Sequence, residues 1–355
     1  MVRYRKPDGK PTKKRGFRRK LDAERFADTV EVSKMTGDYV APVLGRVTIA
    51  ELAPKWLAHK ESSVAKSNYR PLESAWRVHV QPKWGATRIS DIDLPAVEDW
   101  IAELRRAGKS TTTIVRVHGV LAGILDTAVK AKRLRANPAR GVDNLPAKSA
   151  KRHVYLTADD VTKLASEAKH RVLVITLAYT GLRWGEAVAL RVRDIQFLRR
   201  RLSVTDNAVQ VGAEHDEKAP KSNQTRSVPV PQFVLDELAV HCKGRSLDDL
   251  VFGNGKNYLA RPKSGDGWFA GAVRRSGVQK VTPHDLRHTC ASLAVSSGAN
   301  VLALARMLGH SNPAITLRVY SDLFDTDLDK VAEAIHAAYA PAECAQNVPK
   351  TAETA

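Results

Sequence analysis

Cysteine is scarce in this chain of 355 residues: Cys242, Cys290 and Cys344 are the only three, far apart and without CxxC spacing. That excludes a disulfide framework and a cysteine-paired zinc site, and makes a reducing cytoplasm the expected compartment. Also missing is any run of about 18 apolar residues, the length a membrane-spanning helix needs. The basic start has no apolar stretch behind it, so no signal peptide is expected. No repeat with a period of roughly 20–50 residues is visible. Acid is in deficit: 38 Asp+Glu stand against 57 Lys+Arg, a formal net charge of +19. Such an imbalance points to a polyanionic partner, with DNA or RNA ahead of an anionic membrane surface. Aromatics are only 6% of the chain, but hydrophobic residues are 43%, enough for ordinary cores in two or three domains.

The positive charge is concentrated at the start. Residues 1–20 hold ten lysines and arginines against one acid, Asp8. Pro7-Asp8-Gly9 is a turn signal between two short stretches and predicts a hairpin. Leu21 to Met35 then carries helical spacing through Leu21, Ala23, Phe26, Ala27 and Val30. Phe17, Phe26 and Tyr39 give this piece something to pack, so residues 1–40 are read as a small hairpin-plus-helix domain. Strands this basic can lie in a DNA groove. Arg3, Arg5, Lys13, Lys14, Arg15, Arg18 and Arg19 are therefore candidate DNA contacts.

After a linker at 41–46, residues 47–145 read as four helices. Thr48 caps the first, whose apolar positions Ile49, Leu52, Ala53, Trp56 and Leu57 recur every three or four residues. Pro54 inside it predicts a kink. The second covers Ser67–Val80 and is expected to break at Pro82 and Gly85. Leu94–Leu104 and Thr112–Lys130 follow, the latter with a stripe of Ile114, Val117, Leu121, Ile124, Leu125 and Ala128. Among the basic residues between these stripes, Lys66, Arg70 and Arg116 are further candidates to face nucleic acid. Asn137–Lys151, with two prolines and no periodicity, reads as an interdomain linker.

Beyond residue 152 the pattern turns mixed. Helices are expected over Ala158–Lys169 and Val172–Thr180, strands over Arg201–Val211 and Arg226–Val230 joined by a polar loop, and helices again from Phe233. The expected class is multidomain and mainly α, with a β-hairpin-plus-helix domain, a four-helix domain and a mixed α+β domain that is mainly helical. Four segments of this last part carry chemistry. Thr180-Gly181-Leu182-Arg183-Trp184-Gly185-Glu186 sets an arginine beside a tight turn and ahead of an apolar helix, a good place to hold phosphate. Lys221 lies in the polar loop, within Pro220-Lys221-Ser222. Thr282-Pro283-His284-Asp285-Leu286-Arg287-His288 has a capping residue, a proline at the first helical position and an acid at the third. His284 and Arg287, three apart, share a face at a positive helix end and can address one anion. A zinc site through His284 and His288 is disfavoured: the pattern wants Glu after the first histidine, and Arg287 would put a cation beside the metal. Leu308-Gly309-His310 ends a helix on glycine, and Tyr320 follows ten positions after His310. Singly, each has a plain reading as surface charge or packing.

Together and in this order, Arg183, Lys221, His284-x-x-Arg287, His310 and Tyr320 resemble the signature of the tyrosine recombinase (phage integrase) family. The resemblance spans about residues 152–340 and rests most on His284-x-Leu286-Arg287-His288-Thr289 and Leu308-Gly309-His310. Many relatives have the tyrosine nine positions after the histidine rather than ten; Tyr339, in the Ala-rich tail, is the poorer rival. The resemblance implies an arm-type DNA-binding domain at 1–40, a helical core-binding domain at 47–145, a catalytic domain at 152–340 and a tail at 341–355. It implies cleavage and rejoining of DNA through a 3′-phosphotyrosyl bond on Tyr320, without cofactor, metal or ATP. Arg183 and Arg287 would clamp the non-bridging oxygens, His310 would donate to them, Lys221 would be general acid and His284 general base. Glu186 and Asp285 would orient or cap, His288 would be a buried structural partner, and Lys218 is the substitute for Lys221. The partners implied are double-stranded DNA attachment sites, a homotetramer on DNA, a directionality factor and a host DNA-bending protein, with no membrane, in the cytoplasm of a bacterial host. The tail at Leu328–Tyr339 is expected to dock on a neighbouring protomer. A Xer-like resolving recombinase and a catalytically inactive DNA-binding protein are the alternatives.

Overall fold

The structure, a computed structural model, describes residues 1–5, 11–35, 42–147, 153–212, 214–218, 225–310, 312–320, 333 and 335–339. The chain divides after Ala150 into two compact units, each with its own core.

The first unit opens with two antiparallel strands, β1 (Val2–Arg5) and β2 (Pro11–Lys14), in register from Val2↔Lys14 to Arg5↔Pro11. The turn expected at Pro7–Gly9 lies outside the described residues. Side chains alternate across such a ribbon. Arg3, Arg5 and Lys13 are exposed on one face, while Tyr4 on the other meets Phe26 of helix α1 (Lys20–Met35) with ring centroids 5.8 Å apart. Phe17 joins this cluster, and Lys14 Nζ stands 4.2 Å over the Phe26 ring, a cation–π contact.

The helical part begins at a capping box. Thr48 Oγ1 accepts from the Glu51 N–H, and the Glu51 carboxylate accepts from the Thr48 N–H at 2.7 Å. Helix α2 (Ile49–Ser63) continues through Pro54 without interruption. Helix α3 (Lys66–Ala75), a π-turn (Trp76–Val80) and helix α4 (Gln81–Trp84) form one continuous run, so the break expected at Pro82 does not occur. In the π register the Gln81 N–H reaches back five residues to the Trp76 carbonyl. The widened turn makes room for a ring that would otherwise clash with the carbonyl four residues back. Helix α5 (Leu94–Arg106), capped by Asp93, and helix α6 (Thr111–Lys130), capped by Ser110, complete the unit. The α6 stripe from Ile114 to Ala128 is buried in a core with Ile49, Trp56, Trp84 and Trp100. By length and mean hydropathy α6 would suffice to cross a membrane, but its apolar face is occupied by this core. Lys66 and Arg70 on α3 and Arg116 on α6 are exposed.

In the second unit helix α7 (Ala158–Glu167) starts at the expected box between Thr157 and Asp160. Helix α8 (Arg171–Thr180) is buried on nearly all sides. Helix α9 (Trp184–Ala189) and strand β3 (Ile195–Gln196) follow. Where one strand was expected over 201–211 there are two, β4 (Arg201–Val204) and β5 (Asn207–Val211). They belong to different sheets. β4 lies between β3 and strand β7 (Arg226–Pro229), whereas β5 pairs with strand β6 (Glu214–Lys218). The division falls at Thr205-Asp206, which lie between the two strands and whose threonine hydroxyl bonds the aspartate carboxylate at 2.9 Å. The acidic stretch Glu214–Glu217 is therefore strand, not loop. Helices α10 (Gln232–His241), α11 (Trp268–Ser276), α12 (Asp285–Ser296), α13 (Val301–Leu308) and α14 (Pro313–Tyr320) complete the unit. Leu164, Leu173, Leu177, Val228, Leu238, Phe269 and Leu286 lie in its main core.

Candidate active site

The ends of α8 and α13 meet the start of α12, and the site is built on that junction. Gly181 ends α8 in the left-handed region at φ +65°. A Cβ there would lie 2.6 Å from Leu308 Cδ2, so both conformation and space demand glycine. Arg183 follows at the start of α9. The Glu186 carboxylate accepts from the Arg183 backbone N–H at 2.8 Å and from its Nη1 at 2.9 Å, while Arg183 Nη2 donates to the Gly309 carbonyl at 3.1 Å. Glu186 is 3% exposed. Burial pushes its carboxyl up, but bonds to Arg226 and Arg183 outweigh that and hold it below the ordinary value.

Arg287, in the first turn of α12, is buried. Its Nη1 and Nη2 donate to the carbonyls of Gly181 and Leu308, both at 2.6 Å. Burial, then the charge of Arg183, bring its pKa down to about 10, which leaves it charged at neutral pH. Asp285 accepts from the Thr282 N–H and hydroxyl, both at 2.7 Å. The cap is thus one-sided: the threonine hydroxyl is spent on the carboxylate. His284 is exposed, one residue ahead of the helix.

His310 follows the left-handed Gly309 that ends α13. Its Nδ1 lies 2.7 Å from the hydroxyl of Thr316, which is fully buried in α14. Burial, then Arg287 and Arg183, lower His310 to about 4. Tyr320 ends α14 at 1% exposure, packed with Ala291, Val295, Leu304 and Leu308. Its hydroxyl is 3.0 Å from Nδ1 of His288. His288 stacks on His153 with centroids 4.1 Å apart and meets His284 edge-on at 5.1 Å. Burial, then His153 and His284, lower His288 to about 4. Burial pushes Tyr320 up to about 12, against the pull of Arg287.

Arg183, Arg287, His310 and Tyr320 thus share one junction, held by the Gly181, Leu308 and Gly309 carbonyls and the wall of α14. Lys221 lies outside the described residues, and Lys218 is the last residue of β6. Tyr339 is 82% exposed on a helical stretch over 335–339. Two contacts escaped sequence reasoning. One is His288 on the tyrosine hydroxyl, where His284 was expected. The other is Arg226, bonded to Glu186 through both nitrogens of its fork. The alternation of β7 held a signal for it, since Arg226 shares a face with the buried Val228.

The phage integrase family model matches residues 154–326, and that of the phage integrase central domain matches 49–144. The integrase of Mycobacterium phage L5 is 27% identical over 310 residues, 81% of this chain and 79% of that protein. A XerC-like tyrosine recombinase of Caldanaerobacter subterraneus is 25% identical over 324 residues, 82% of this chain and 83% of that one. Among solved structures, the Tn1549 transposon integrase in complex with transposon right end DNA has the same fold at TM-score 0.67 and 23% identity, covering 81% of this chain and all of that one. A lambda integrase tetramer bound to a Holliday junction matches at TM-score 0.61 and 18% identity, over 88% of this chain and 93% of that one. With both halves of the chain matched in order and Arg183, Arg287, His310 and Tyr320 sharing one junction, the chain belongs to the phage integrase family and is a site-specific tyrosine recombinase.

Proposed function

We propose that the chain is an integrase that inserts a phage or mobile-element genome into DNA at specific attachment sites and, with a directionality factor, excises it. The convergence of two arginines, a neutral histidine and a tyrosine on one junction carries this reading. The Tyr320 oxygen attacks the scissile phosphorus, the bond from phosphorus to the 5′-oxygen breaks, and a 3′-phosphotyrosyl bond and a 5′-hydroxyl result. A 5′-hydroxyl from the partner strand reverses the step, so neither ATP nor hydrolysis is needed. Arg183 and Arg287 meet the charge that grows on the non-bridging oxygens, as metals do in many nucleases. His310, neutral at pH 7, donates through Nε2 when Thr316 bonds its Nδ1. Lys221 protonates the leaving oxygen. The family pattern assigns the phenolic proton to His284; the 3.0 Å contact supports His288, equally neutral, as its first acceptor.

The exposed face of Arg3, Arg5 and Lys13, with Arg15, Arg18 and Arg19, is the proposed arm-site contact. Lys14, engaged with Phe26, contributes less. Lys66 and Arg70, one turn apart on α3, and Arg116 on α6 address the core site. This assigns 1–40 to arm binding, 47–145 to core binding and 152–340 to catalysis, with 341–355 as a tail. Four copies assemble on double-stranded DNA in the bacterial cytoplasm, with a host DNA-bending protein as accessory. The test is a nicked suicide duplex drawn from element or host DNA, with the trapped end sequenced. Wild type should form a covalent adduct and Tyr320→Phe none. An adduct in the variant places the nucleophile elsewhere, and none in the wild type defeats the reading.

The XerC-like relative favours a second reading, a chromosome- or plasmid-resolving recombinase. Deleting residues 1–40 separates the two: an integrase should lose recombination at long attachment sites yet still cleave a core site. A resolving enzyme would lose neither.

A further inference from the structure

On the recombinase reading above, we infer that Arg226 is a positioning residue for the cleavage step, setting Arg183 through Glu186 and His310 through the end of α13. Arg226 is the first residue of β7, its side chain 10% exposed. It makes three bonds: Nη1 to Glu186 Oε1 at 2.9 Å, Nη2 to Oε2 at 2.6 Å, and Nε to the Met307 carbonyl at 3.1 Å. The first two are the parallel fork that only arginine presents to a carboxylate.

The same two Glu186 oxygens accept from the Arg183 backbone and Nη1. One carboxylate therefore orients two guanidinium groups of different character. The Arg183 side chain is 30% exposed and looks outward; Arg226 closes the carboxylate from within. With Arg226 in place, the charge of Glu186 is already matched and that of Arg183 stays available to a phosphate. Without it, a buried carboxylate would have Arg183 as its nearest cation and would draw that charge inward.

Arg226 also lies flat against the turn that delivers His310. A Cβ on Gly309 would fall 2.9 Å from Arg226 Nε. Met307, which accepts from that nitrogen, immediately precedes Leu308 and Gly309, whose carbonyls hold Arg287 and Arg183. So Arg226 reaches Arg183 through Glu186, and through Met307 and Gly309 it adjoins the turn that holds Arg287 and delivers His310, while its own side chain is only 10% exposed.

The test compares wild type, Arg226→Ala and Arg226→Lys in single-turnover adduct formation on a nicked site duplex, with DNA affinity measured separately. Misplacing a catalytic group by about 1 Å can cost on the order of 10²-fold. Arg226→Ala should fall by about that factor and Arg226→Lys by about tenfold, each with DNA affinity within about threefold of wild type. A second substrate carries a methylphosphonate at the scissile position, which replaces one of the non-bridging oxygens the arginines clamp and leaves the linkage uncharged. If Arg226 acts through Arg183, the defect of both variants shrinks on it. A loss by the same factor on both substrates, or rates within about threefold of wild type on the native phosphate, overturns the inference. If Arg226→Ala shows no cooperative melt, Arg226→Lys decides by the same criteria. Failure of wild type to form an adduct sinks the recombinase reading instead, and the wild-type reaction reports it directly.

Discussion

His288 and His310 are both held far below the ordinary histidine value of 6.5, each at about 4. A folded-state pKa below the unfolded one means that the unfolded chain takes up the proton first. Their contribution to stability is therefore whole above about pH 6.5 and drains away as pH falls towards 4. The melting temperature should decline from pH 7 to pH 5. His288→Asn, which keeps a neutral acceptor for Tyr320 and removes the titration, should flatten that decline; an identical slope in the variant would refute the assignment. These two histidines also mark how far the site was legible beforehand. Arg183, Arg287, His310 and Tyr320 could be named because their types and their order along the chain resemble the family's signature. The partner of the tyrosine could not. Helical spacing puts His284 and His288 on one side of a turn, but nothing local says which of them meets a hydroxyl 32 residues away. Arg226 was missed for a related reason: as one cation among 57 it looks like solvated surface until the strand's face is known.

Among the elements, the junction of α8, α12 and α13 depends most on backbone conformation. Gly181 holds a positive φ, touches Leu308 and offers its carbonyl to Arg287. A side chain in that conformation costs roughly 1–3 kcal/mol before any clash. Gly181→Ala should lower unfolding free energy by at least that much in urea, and should slow adduct formation beyond what the lost stability explains, because Arg287 loses its seat. Helix caps and apolar stripes read well ahead of the structure, as Thr48, Thr157 and α6 illustrate. Pro82 misled, since the π register over Trp76–Val80 carries the helical run past it. The 201–211 stretch misled too, because the apolar residues Leu202, Val204, Ala208 and Val209 stand on either side of Asp206 and Asn207, which are poor strand formers.

For the molecule as a whole, the governing quantity is charge. With a formal +19 and basic residues exposed in both units, binding to non-specific duplex should be dominated by release of condensed cations. Affinity should drop on the order of 10³-fold between 50 and 200 mM salt. A flat dependence, measured by fluorescence anisotropy on random-sequence DNA, would show that the basic residues do not touch phosphate.

The burial of Tyr320 bears on restraint. With Tyr320 at 1% exposure, its hydroxyl cannot touch phosphorus from where it sits. On the proposed role of Tyr320, cutting waits on the packing around α14 giving way, and the rate would carry as a factor the fraction of time the oxygen spends uncovered. DNA that favours the uncovered state gains speed in the same proportion, and DNA that does not is left intact even when bound. Haste and fidelity would thereby be tied to the same helix: changes that loosen its packing should make the enzyme quicker and less discriminating at once.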